Sequence, residues 1–216
     1  MNPYPDTSAS WGGDPTSTVV GARELHPNRQ TLNLLLLGTV AGLGLVFQVG
    51  HFAEHAFQFA VWVLGDLSNI CGRDTPWMSA WVTKLVRHTG LLLFPASDET
   101  RRMMLGMELL HLAGNSIFLV GLASLYYCVR VKWVRWAFYI EAFHLYEHIM
   151  LTATAFFIGK PIGLSTLFGG ANVLGDREFA VGCRVTWHFA MNLLPMPFAM
   201  IGLMQHWRSD ATPAQP

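Results

Sequence analysis

The chain has 216 residues, enough for one domain, and its 14 Lys+Arg balance its 14 Asp+Glu. Hydrophobic residues make up 52% and charged residues 13%, about half the roughly 25% usual in soluble domains. Zero net charge excludes a basic nucleic-acid surface or an acidic tail, and charges gathered between four apolar stretches point to a polytopic membrane protein.

Residues 1–30 are polar and rich in Pro, Gly, Ser and Thr, without the basic region, short apolar core and cleavage site of a signal peptide. A disordered cytoplasmic tail is expected there. The first apolar stretch, 31–64, exceeds the ~20 residues that cross a bilayer core and is long enough to protrude. Between Pro76 and Thr89, apolar Trp77, Trp81, Val82 and Leu85 share one helical face, while Lys84, Arg87 and His88 point elsewhere. That pattern predicts a short helix at the membrane interface. Ser97 and Asp98 then read as an N-cap with acidic support before the second stretch, 103–129.

A tight connection holding Arg130, Lys132 and Arg135 leads into the third stretch, 133–158. Short basic loops stay in the cytoplasm, which places this loop and both termini inside a bacterial-type plasma membrane. The next connection carries Gly159, Gly163, Gly169, Gly170 and Gly175 and reads as a flexible outer loop, with a lid as the alternative. A fourth stretch, 179–204, precedes a C-terminal tail at 208–216. Cys71 and Cys183 fall on the same predicted outer side, where a disulfide is permitted; three unpaired cysteines are the alternative. The expected fold is all-α: an integral membrane four-helix bundle over 31–207 with a short interfacial helix.

Two of these stretches repeat the phrase His-x-x-Glu-His, as His51, Glu54 and His55 and again as His144, Glu147 and His148. The apolar stretch after each repeats His-x-x-x-Asn, as His111 with Asn115 and His188 with Asn192. Residues three and four apart share one face of a helix, so each phrase forms a stripe. Glu108 precedes His111 by three residues and Glu141 precedes His144 by three; Gln48 holds that place before His51, and Val185 before His188. Position along the four stretches puts all six imidazoles at one level, outward of the membrane centre. The alternation also predicts two pseudo-repeated helical hairpins related by a twofold along the membrane normal.

Ionisable groups converging in apolar surroundings repel and desolvate badly without a cation, so metal binding is the expected reason for this pattern. His51, His55, His111, His144, His148 and His188 are the expected core ligands. Glu54 and Glu147 come next as ligands or catalytic bases, ahead of Glu108 and Glu141. Asn115, Asn192 and Gln48 are expected behind the ligands, the asparagines orienting imidazole N–H groups. This inventory exceeds one tetrahedral ion and implies a dinuclear site, with iron first and zinc or copper as alternatives.

Three partial resemblances follow from these residues. The His-x-x-x-His spacing on apolar helices is similar to that of membrane fatty-acid desaturases and hydroxylases, which use non-haem di-iron, although no His-x-x-His-His box is present. Glu108 with His111 and Glu141 with His144 resemble the Glu-x-x-His pairs of di-iron carboxylate bundles, which add a Glu from each remaining helix; here the fourth stretch has none. The His-x-x-Glu-His phrase looks like that of inverzincin peptidases, where the Glu is the base.

The expected activity is a membrane oxidoreductase of hydroxylase or desaturase type on an apolar or lipid-like substrate, served by membrane lipid and an electron-donor protein. A homo-oligomer is compatible with this reading and a nucleic-acid partner is not. The alternatives are a haem b electron-transfer protein with His111 and His188 as axial ligands, a metal or proton transporter or sensor, a zinc-dependent hydrolase, and a purely structural polar network. Arg184, one turn before His188, is expected to reach lipid headgroups.

Overall fold

The computed structural model describes residues 29–64, 78–168 and 177–210. Among them all regular structure is helical: α1 (Arg29–Val63), α2 (Ala80–Leu93), α3 (Glu99–Val129), α4 (Lys132–Ile158), α5 (Leu164–Phe168), α6 (Arg177–Leu193) and α7 (Pro195–Asp210). The polar N-terminal tail to residue 28, Cys71, Trp77 and the Cys183 side chain lie outside the described residues, and the expected disulfide with them.

Local chemistry sets the helix ends. Asp98 caps α3 as expected, its side chain accepting a hydrogen bond from the Arg101 N–H at 3.0 Å. At the other end Arg130 adopts a left-handed conformation (φ 55°), and its N–H returns to the Tyr126 carbonyl. Its guanidinium lies 4.7 Å from the centre of the Tyr127 ring. The chain therefore reverses within two residues and lays α4 antiparallel beside α3.

The fourth stretch is divided, contrary to expectation. The Leu194 N–H still reaches the Ala190 carbonyl, but Pro195 has no N–H and opens a new helix instead. The resulting α6 and α7 have 17 and 16 residues. Among the described residues two helices, α1 and α3, are long and apolar enough to cross a membrane. α4 has the length, but Glu141, His144, Glu147 and His148 interrupt its apolar run.

α1 packs against α3 and α6, α3 against α4, and α4 against α7, so the long helices close a ring. Close crossings depend on missing side chains. A Cβ on Gly44 of α1 would stand 2.9 Å from the Gly121 Cα of α3. α2 packs on α3 in the same way, through Val86 and Gly90 against Gly106. This helix lies a turn further along the chain than the pattern predicted, and it turns Trp81 and Leu85 outward while burying Val86.

The interior has two layers. Near the α3–α4 turn, Ala41, Phe118, Leu122, Leu125, Val134, Ala137 and Ala199 form a dry apolar cluster. Toward the other end of the same helices the buried residues become Gln48, His55, Glu108, Asn115, Glu141, His144, Glu147, His148, His188 and Asn192. Outside, α1 presents Leu35, Leu36, Leu43, Val46, Val49 and Phe57 to the surroundings.

Candidate metal centre

The ring of helices brings all six predicted imidazoles together at one level. They divide into two groups whose ligand atoms lie within 4.8 Å of one another: His51, His55 and His111, and His144, His148 and His188. Each group takes two histidines one turn apart from one helix (α1 or α4) and a third from α3 or α6. Within each His-x-x-Glu-His phrase the Nε2 atoms face each other, at 3.0 Å for His51 and His55 and 3.1 Å for His144 and His148.

The two triads abut. His111 stacks on His148 with centroids 5.3 Å apart, and His55 on His188 at 5.7 Å. These contacts exchange under the pseudo-twofold that pairs His51 with His144, His55 with His148 and His111 with His188. Backbone interactions obey the same relation. His111 Nδ1 donates to the Met107 carbonyl at 2.9 Å, and His188 Nδ1 to the Arg184 carbonyl at 2.8 Å. A proton held at Nδ1 leaves the Nε2 lone pair free for a ligand. His55 is oriented likewise by the Gln58 amide oxygen, 3.0 Å from its Nδ1.

Asn115 and Asn192 act differently from the expectation. Each amide donates at 2.8 Å to the carbonyl of the histidine one turn before it, because that carbonyl, and not an imidazole, lies within reach along the helix. Asn192 also accepts from the Gln48 amide at 2.9 Å, tying α1 to α6.

Three of the four carboxylates have separate engagements. Glu54 accepts the Ser79 N–H at 2.6 Å, at the start of α2. Glu147 accepts the Leu164 N–H at 2.6 Å, and the Ser165 N–H and hydroxyl at 2.9 and 2.6 Å, at the start of α5. The twofold-related glutamates thus do one job, each holding the first N–H groups of the helix that follows in the loop. Gly163 is part of this arrangement, since a Cβ there would stand 2.7 Å from Glu147 Oε1. The described part of the glycine-rich connection is accordingly pinned.

Glu108 pairs with Arg184 at 2.5 Å, so Arg184 turns inward to a buried carboxylate and not outward to headgroups. Glu141 is fully buried, both its oxygens lack a hydrogen-bond partner, and His144 Nδ1 stands 3.5 Å from it. Sequence reasoning missed Gln58, Ser79 and Ser165. Gln58 was findable, three residues beyond His55 on the same stripe; the two serines come from loops with no periodic signal.

A cavity of about 20 Å³ lies between the triads, lined in part by His55, Gln58, His111, His148, Arg184 and His188. It has room for about one water. The donor set fits a metal. Ligands 2.0–2.1 Å from a tetrahedral ion stand roughly 3.3 Å apart, close to the two Nε2 separations found here. Around His111 and His188 stand His55 and His148, with ring centroids 5.1–5.7 Å away.

No curated protein and no solved structure matches the chain. A model of the DUF6008 family, described as a family of unknown function, matches residues 18–214. That match spans nearly the whole sequence and both histidine triads, and the protein belongs to the DUF6008 family.

Proposed function

We propose that this protein is an integral membrane four-helix bundle that holds one transition-metal ion in each histidine triad and serves as an oxidoreductase. The observation that carries the reading is the pair of twofold-related three-imidazole groups, with Nε2 atoms converging and Nδ1 atoms tied back at His55, His111 and His188. The membrane setting is supported by the apolar exposed face of α1 and by the length of α1 and α3.

The carboxylate contacts bear on the metal. With Glu54, Glu147 and Glu108 engaged elsewhere and Glu141 standing at the Nδ1 side of His144, the donors left to face an ion are imidazoles, which suit copper or zinc better than a carboxylate-rich di-iron site. A redox role then favours copper. Such a pair, when bound, supplies electron transfer to or from a small reactant. The chain's own part is to present the nitrogens, to leave little free space between the triads, and to seal the inner end. The cluster around Phe118, Leu122 and Val134 provides that seal, and its apolar side chains argue against a transport path. Glu54 and Glu147, both committed to backbone N–H groups, are poorly placed as the base of a zinc hydrolase.

The test is metal content by plasma mass spectrometry, with an absorption spectrum, on the full chain in detergent beside a His51→Ala/His144→Ala variant. Near-stoichiometric copper that disappears in the variant is expected. Zinc at the same stoichiometry would move the reading to hydrolysis. A metal-free wild-type chain would leave a structural polar network.

A further inference from the structure

Among the positions where the two halves differ, one lies directly behind the ligands. Gln48 lies three residues before His51 and Glu141 three residues before His144, so one triad is backed by a carboxamide where the other is backed by a carboxylate. Both side chains are fully buried. Gln48 commits its amide to Asn192. Glu141 has no hydrogen-bond donor on either oxygen, and His144 Nδ1, itself without a hydrogen-bond partner, stands 3.5 Å away. A small shift of either side chain closes that gap to hydrogen-bond length.

The geometry points to two unequal metal sites: the His144/His148/His188 triad binds a divalent cation more tightly than the His51/His55/His111 triad, with Glu141 as the positioning residue responsible. This rests on the metal reading above and adds an order of filling to it. A carboxylate behind a ligating imidazole fixes its tautomer, makes it a stronger donor and adds a negative charge close to the cation.

Two neighbouring groups have to be weighed against this. Gln58 gives His55 an amide acceptor, while the equivalent position after His148 is Leu151. A bound cation favours the ionised form of Glu141, and a charged acceptor makes a hydrogen bond about twice as strong as a neutral one. Arg184, one turn before His188, opposes a cation there, and its partner Glu108, three residues before His111, favours one in the other triad, so this pair works against the order and Glu141 has to exceed it.

The experiment is a competition titration of the metal-free full chain in detergent with Zn²⁺ and a chromophoric chelator. Wild type should fill in two steps at least about tenfold apart. Glu141→Gln should weaken the tighter step by roughly 10–100-fold and leave the weaker one in place. Single-site variants locate the effect and guard against a global loss of structure. His111→Ala should keep one tight site that is sensitive to Glu141→Gln, and His188→Ala should keep one weaker site that is not. Two equal steps in wild type, or a Glu141→Gln effect shared by both sites or absent from both, would overturn the inference. No Zn²⁺ uptake by wild type would remove the metal reading itself, a result distinct from equal sites.

Discussion

The imidazoles of His111 and His148, from opposite hairpins, stack with centroids 5.3 Å apart and planes within 8°. Their twofold counterparts, His188 and His55, stack at 5.7 Å with planes within 18°. Neither triad is therefore isolated, since each contributes a ring to the wall of the other.

His148→Ala should test this interlock. The substitution removes a proposed ligand from one triad and the stacking partner of His111 in the other. Metal should fall from about two equivalents per chain to one or fewer. Any metal retained should show an absorption spectrum altered from that of wild type. Two equivalents with an unchanged spectrum would count against the assignment of His148.

Glu147→Ala should act on stability before it acts on metal. Three donors lose their acceptor: the Leu164 and Ser165 N–H groups and the Ser165 hydroxyl. Each buried group left unpaired costs about 1–3 kcal/mol, so a loss of several kcal/mol is expected where water cannot enter. Hydrogen exchange should quicken first at the amides of residues 164 and 165. A variant of normal stability that has lost all activity would instead favour a catalytic base.

Arg184→Ala leaves Glu108 buried without its counter-charge. Breaking a buried pair from one side typically costs about 3–5 kcal/mol. The double variant Arg184→Met/Glu108→Gln should recover much of that loss, because no charge is then stranded. Denaturant unfolding of the single and double variants in the same detergent gives the comparison, and equal destabilisation of both would remove the ion pair from the account.

Two glycines of α1 should respond in opposite directions. Gly44→Ala drives a methyl against the Gly121 backbone and should cost about 1–3 kcal/mol. Gly38→Ala meets nothing within 4 Å and should be neutral or stabilising by up to about 1 kcal/mol through helix propensity. Thermal unfolding of the two variants would separate these effects; equal shifts would contradict the α1–α3 crossing.

The sequence by itself determined the helical class, the approximate extent of α1, α3 and α4, the Asp98 cap and the six histidines that meet. These are consequences of period and spacing within single helices, where residues three and four apart must share a face. The repeated phrases also matched the residues of one triad to those of the other before any helix was placed. Only the tertiary structure decided how the six divide into triads and where the carboxylates go. Glu54, Glu147 and Glu108 are indistinguishable from ligands by spacing, because their partners Ser79, Leu164, Ser165 and Arg184 lie 17 to 76 residues away. Glu141, whose spacing is the same as that of Glu108, is left facing His144 because the packed helices bring it no other donor. A buried carboxylate takes whatever donor the packed helices bring to it, and that choice is made between elements, beyond the reach of local periodicity.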